Sequence, residues 1–141
     1  MRSIQRVTWC VSLVLLAAVL AAGPAAAEQV GELWRGGGFN LPFYVSVNPT
    51  DGSCWVADRF NCQVVHLAAS GAELWRGGGF LHPLSVSVNP TDDSCWVAEG
   101  DNNQVVHLSA TGAELWRGGG FNFPVSVSVN PTDGSCWGGR T

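Results

Sequence analysis

The sequence predicts an all-β fold made of repeated four-stranded antiparallel meanders, and three observations predict it. Trp34, Trp75 and Trp116 are spaced by 41 residues, as are Cys54, Cys95 and Cys136. The run Gly71–Trp96 matches the run Gly112–Trp137 at 22 of 26 positions. Within each unit apolar and polar residues alternate with period two between clusters of turn formers, and no helical period is sustained after residue 27.

Residues 1–27 carry an address. Arg2 and Arg6 precede an apolar run from Val7 to Ala22, Gly23-Pro24 breaks it, and Ala25-Ala26-Ala27 supplies a small-residue cleavage pattern. A basic start, an apolar middle and such a site in that order describe a secretory signal peptide. The apolar run is shorter than the ~20 residues a bilayer span needs. The expected mature protein is therefore secreted or periplasmic and free of the membrane once the leader is cut. Cleavage leaves five arginines, no lysine and eleven acids. That balance gives no electrostatic footprint for nucleic acid.

Each unit reads as four strands. Phe43–Asn48 alternates apolar and polar residues, and Asn48-Pro49-Thr50-Asp51-Gly52 is dense in turn chemistry. The second unit has Asp93 where the others have Gly52 and Gly134, a residue that tolerates the left-handed region better than most. The second strand is Ser53–Asp58, the third Gln63–Leu67 and the fourth Ala72–Arg76. Gly77–Phe80 then leads to Pro83 and the next unit. Four short strands repeated at this period are the blade of a β-propeller. The expected layout is a leading strand at 32–35, blades at 43–76 and 84–117, and a partial blade at 125–137.

The segment from Phe43 to Arg76 resembles the NHL repeat. The likeness rests on Val-Ser-Val-Asn-Pro-Thr-Asp-Gly, on Trp55-Val56-Ala57-Asp58 with Asn61, and on Trp96-Val97-Ala98-Glu99 with Asn102. Gln63 and Gln104 depart from it, standing where the family usually carries arginine or lysine. The resemblance implies a propeller, commonly of six blades, that binds protein, RNA or other partners. A minority of proteins related by fold are enzymes.

Length limits that reading. Six blades of this period need about 250 residues, and residues 28–141 hold about 2.8 units. An open arc leaves two blade faces of roughly 300 Å² each. At ~25 cal/mol per Å² their exposure forfeits up to about 15 kcal/mol, as much as a typical domain's stability. Two arrangements relieve this: a longer propeller of which this chain is a fragment, or self-association that completes a ring. The fragment is favoured, because a ring of two chains would still lack the third strand of its unfinished blades. The sequence after Trp137, Gly138-Gly139-Arg140-Thr141, is foreign to the repeat.

No catalytic residue, metal ligand or cofactor is expected. His66 and His107 recur at one position in successive units, which marks scaffold rather than a site of converging unlike groups. The repeated cysteines read as small buried side chains, with Cys62 left over as an unpaired thiol, and Trp34, Trp75 and Trp116 as inter-blade core. The units differ mainly in the loop after strand two and in the inter-blade loop, which a meander places on one edge. Rigid scaffolds carry binding function on such loops. Arg59, Phe60, Asn61, His82, Asp101 and Asn102 are the candidate contacts, for a protein or glycan ligand. Competing readings are a fragment of a metal-dependent lyase or lactonase and a non-functional gene remnant. For the leader, mass spectrometry of the exported protein is expected to find Glu28 at the N-terminus; a chain starting at Met1 contradicts the signal peptide.

Overall fold

A computed structural model describes residues 35–139. The leader at 1–27, its cleavage site, Trp34 and most of the expected leading strand at 32–35 lie outside these residues. Strands β1 (Pro42–Val47), β2 (Cys54–Asp58), β3 (Gln63–Leu67) and β4 (Glu73–Gly78) pair in chain order as one antiparallel sheet. A second sheet repeats the order with β5 (Pro83–Val88), β6 (Cys95–Glu99), β7 (Gln104–Leu108) and β8 (Glu114–Gly118). The third holds β9 (Ser126–Val129) and β10 (Cys136–Gly139). Among the described residues the sheets make an incomplete propeller with no closed ring. Gly138 and Gly139, foreign to the repeat, still pair with Val127 and Ser126, because a backbone ladder does not require the repeat's side chains.

The turns follow from their residues. Asn48 Oδ1 accepts from the Thr50 amide at 2.9 Å and Asp51 Oδ1 from the Ser53 amide at 2.8 Å. Gly52, Asp93 and Gly134 all sit at positive φ, so Asp93 does adopt the left-handed geometry expected of it. Asp93 does more: its carboxylate accepts from Asn48 Nδ2 of the preceding blade. The register slips between His66 and Leu67, which pair with Trp75 and Glu73 and leave Leu74 bulged and exposed. Trp75 is thereby turned back onto the core.

That core lies between blades. Trp55, Ala57 and Val64 of the first sheet pack with Val86, Val88, Cys95, Val97, Val106 and Leu108 of the second, and Trp75 closes over them. His66 stacks on Trp55 with ring centroids 4.2 Å apart, and His107 stacks on Trp96 at the same distance. His66 Nδ1 lies 3.2 Å from the Ala110 carbonyl of the next blade and, as the N–H tautomer, donates to it. Gly112 turns at φ +81° just beyond, and a Cβ there would collide with the Trp75 indole. The repeated cysteines are free: Cys95 is fully buried, while Cys54 and Cys136 are half-buried at the ends of the arc. Burial raises the Cys136 thiol to about 11.

Adjacent first strands are stitched in one direction. Ser46 Oγ accepts from the Val88 amide at 3.1 Å, and Ser87 Oγ accepts from Val129 at 3.1 Å. Thr50 Oγ1 donates to the Pro90 carbonyl, and Thr91 Oγ1 to that of Pro131. The earlier blade offers the side chain and the later blade the backbone.

Burial holds the pKa of His66 and His107 below the ordinary imidazole value, against a smaller opposing pull from the Ala110 carbonyl at His66 and from Asp92 at His107. The unfolded chain then binds these protons first, so stability is full above about pH 6.5 and falls as pH drops towards the depressed folded values. Melting temperature is expected to decline on acidification below about pH 6.5. The His66→Gln, His107→Gln double variant should lose that decline, leaving the carboxylate transition at lower pH. Thermal melts across this range check it.

Candidate functional site at the variable loop edge

Two buried carboxylates build the edge on which the variable loops meet. Asp58, at the end of β2, is wholly buried. Its Oδ1 accepts from the Asn40 amide at 2.8 Å, and its Oδ2 from Asn61 Nδ2 and Gln63 Nε2, both at 2.8 Å. Glu99 repeats this at the end of β6, taking the Leu81 amide at 2.9 Å, Asn102 Nδ2 and the Arg117 guanidinium. Each carboxylate ties an inter-blade loop to the loop after the second strand of its own blade. Charged acceptors with this many donors are what burial demands.

The expected placement of both loops on one edge is what the structure has. A 3₁₀ turn at Arg59–Asn61 follows β2, and the Phe60 amide donates to the Asn40 carbonyl at 3.1 Å. Its C-cap, Cys62, is left-handed at φ 53°. Four of the six candidate residues then form one chain of contacts. The Arg59 guanidinium lies over the rings of Phe43 and Phe60, 5.2 and 5.4 Å from their centroids. Phe60 meets His82 edge-on at 5.8 Å, and His82 Nδ1 lies 2.6 Å from Asp101 Oδ2. The chain crosses from the first blade, over the inter-blade loop, to the second blade.

The other two candidates are occupied by the scaffold. Asn61 spends its amide on Asp58 and on the Gly38 carbonyl, and Asn102 spends its amide on Glu99. Phe43 belongs to the surface and was not among the candidates. The signal was available, because the three units read Phe43, Leu84 and Val125 at that place. The differences between units are also coupled. Gly100 stands where the first blade has Arg59, and a Cβ there would press on Leu84 and come within 3.3 Å of the Phe123 ring. The second blade therefore packs Phe123 where the first stacks Arg59.

Chemically the edge offers a guanidinium between two aromatic rings, an exposed Phe60 and a His–Asp pair. Among the described residues Arg59 has no carboxylate partner, and its Nε is buried without a hydrogen bond. No group of three or more His, Cys, Asp and Glu is gathered at metal-holding distance among the described residues.

Solved structures show the fold. The chain is similar to hydrazine synthase of Kuenenia stuttgartiensis at 14% identity, with a TM-score of 0.64 over 74% of this chain and 30% of that one. It is similar to U3-55K at 13% identity and to the WD40 repeats of RRP9 at 14%, each with a TM-score of 0.64. The chain spans about a third of the length of these structures, 30 to 34%. At such identity they establish a β-propeller, WD40-like repeat fold and nothing finer. No family model matches the sequence, and no curated protein matches it either. The NHL resemblance therefore stands on its motif residues alone.

The buried and exposed charges should separate by experiment. Glu99→Ala leaves the Leu81 amide and Asn102 without their buried acceptor and leaves Arg117 only Glu114 and Gln104 among the described residues, with an expected loss of about 1–3 kcal/mol. Asp101→Ala removes only a surface pair and should cost less than about 1 kcal/mol. Urea denaturation of the two variants tests the difference.

Proposed function

We propose that this chain is an exported, non-catalytic, NHL-type propeller segment that binds a protein or glycan ligand through its variable loop edge. The observation that carries the reading is the continuous contact of Arg59, Phe60, His82 and Asp101 across two blades. All four stand at positions where the units differ: Gly100 replaces Arg59, Asp101 replaces Phe60, and Leu41 and Phe123 replace His82. The scaffold beneath them repeats almost without change. Arginine and aromatic residues in combination are the side chains that dominate interface energetics. A guanidinium between two phenylalanine rings suits a ligand that presents a carboxylate beside a flat apolar face, such as an acidic peptide or an acidic sugar.

The reading is tested by comparing the wild-type chain with an Arg59→Ala, Phe60→Ala, His82→Ala, Asp101→Ala variant. Both are screened on an array of neutral and acidic glycans and of acidic peptides. Binding to acidic probes that falls at least tenfold in the variant, while its melting temperature stays within a few degrees, is the expected result. Equal binding by both proteins, or no binding by either, refutes the loop edge as the recognition surface. Stoichiometric metal in the purified protein, with binding that depends on it, would favour a lyase-type or lactonase-type propeller instead.

A further inference from the structure

The two ends of the arc carry the two halves of the interface that already joins its blades. In the second blade, Val86 and Val88 of β5 are buried, 0% and 7% exposed, because β1 and β2 of the first blade cover them. The same strand of the first blade has nothing over it among the described residues, and Val45 and Val47 are 54% and 59% exposed. Pro42, Phe43, Tyr44, Val45 and Val56 line a shallow groove of about 260 Å³ there. The outer half of this face is already filled, since Val65 and Leu67 are buried with Phe39 packed on them. What stays open is the inner half, centred on β1.

At the opposite end the matching side is bare. Trp55 is 0% exposed beneath the second blade, whereas Trp137, at the same position of the third unit, is 75% exposed on β10. Ser126 and Ser128 are exposed as well, at the positions of the acceptors Ser85 and Ser87, and Thr132 stands at the position of the donors Thr50 and Thr91. Within the chain β5 rests chiefly on two strands of its predecessor, β1 and β2. The third unit offers two strands, β9 and β10, in those places.

We propose that the open face of the first blade is a docking site for β9–β10 of a second copy of this chain. Trp137 of one copy enters the groove beside Val45 and Val47 of the next, and its Ser128 and Thr132 face the Val47 amide and the Pro49 carbonyl. The contact is head-to-tail, because it joins unlike surfaces, so a dimer keeps one free end of each kind and can extend. The half-blade area is below that of a standard interface, so association depends on concentration. The groove adjoins the loop edge at Phe43, which lies under Arg59, but the residues that test the contact, Val47 and Trp137, are not among the loop-edge candidates.

Sedimentation of the full chain between about 1 and 500 μM covers the range in which small interfaces associate. Wild-type protein should rise in mass to dimer and beyond. Val47→Glu blocks one face and Trp137→Glu the other; both side chains are exposed, and circular dichroism checks that each variant is folded. Each variant alone should stay monomeric, and an equimolar mixture should form a complex of one copy each that does not extend. Three results overturn the proposal. They are a monomeric wild type over the whole range, association that neither substitution reduces, and a mixture that stays monomeric, as a face pairing with its own kind would give.

Discussion

The Trp55 indole, clasped between two sheets with His66 stacked on it, is the contact on which the described structure turns. A four-stranded blade is apolar on both faces and can bury neither by itself. The first blade places Trp55, Ala57 and Val64 against Val86, Val88 and Val97 of the second, and the two faces differ in kind. One is dominated by indole, imidazole and serine, the other by valine, cysteine and leucine. Repetition is then enough to build an array, since every blade brings one surface of each kind. The same logic fixes His66 as a packing residue. Its ring supplies a flat plate for the indole and a hydrogen bond to the next blade, while burial favours the neutral form.

The loop edge depends on this core at one remove. Asp58 and Glu99 end the second strands inside the blade and could not be buried without their donors. Those donors come from the inter-blade loops, through the Asn40 and Leu81 amides, and from the loops after β2 and β6, through Asn61 and Asn102. Two flexible connections are thus held by one buried charge. The outward side chains beside them, Arg59, Phe60, His82 and Asp101, are free to vary because the fastening lies beneath. A rigid base with variable tips is the usual way a scaffold acquires a binding surface.

Much of this was legible in the sequence, and the reason is the repeat. The 41-residue spacing gave the blade, the period-two alternation gave its strands, and the Asn-Pro-Thr-Asp-Gly runs gave its turns to within a residue or two. Comparing units also gave the loop edge. What could not be read was the use of each polar residue. Asn61 and Asn102 looked like surface contacts, yet they serve Asp58 and Glu99, because sequence spacing does not report which amide a buried carboxylate recruits. Phe43 was missed because an aromatic residue in an alternating strand reads as core. Only the arc's open end leaves it at the surface under Arg59. The even burial expected of the repeated cysteines failed for a similar reason. Cys54 and Cys136 occupy end blades, and only Cys95 is covered on both sides.

Near-identical units raise a problem of order, since any indole face could seat on any valine face, and misassembly between like repeats is a known hazard. The chain's connectivity solves part of it by keeping successive blades at high local concentration. The rest falls to the few positions where units differ. Asn48 of the first blade donates to Asp93 of the second, whereas Asn89 of the second meets Gly134 of the third, where a Cβ would lie 3.0 Å from its amide nitrogen. One asparagine therefore faces a carboxylate and its repeat faces a glycine, where a Cβ would press on the Asn89 amide. Seating the third unit in the second blade's place would leave Asn48, which is buried, without its acceptor. A single acid in place of glycine thus labels the second blade as the partner of the first. The turn that best tolerated the substitution is also the one that reads it.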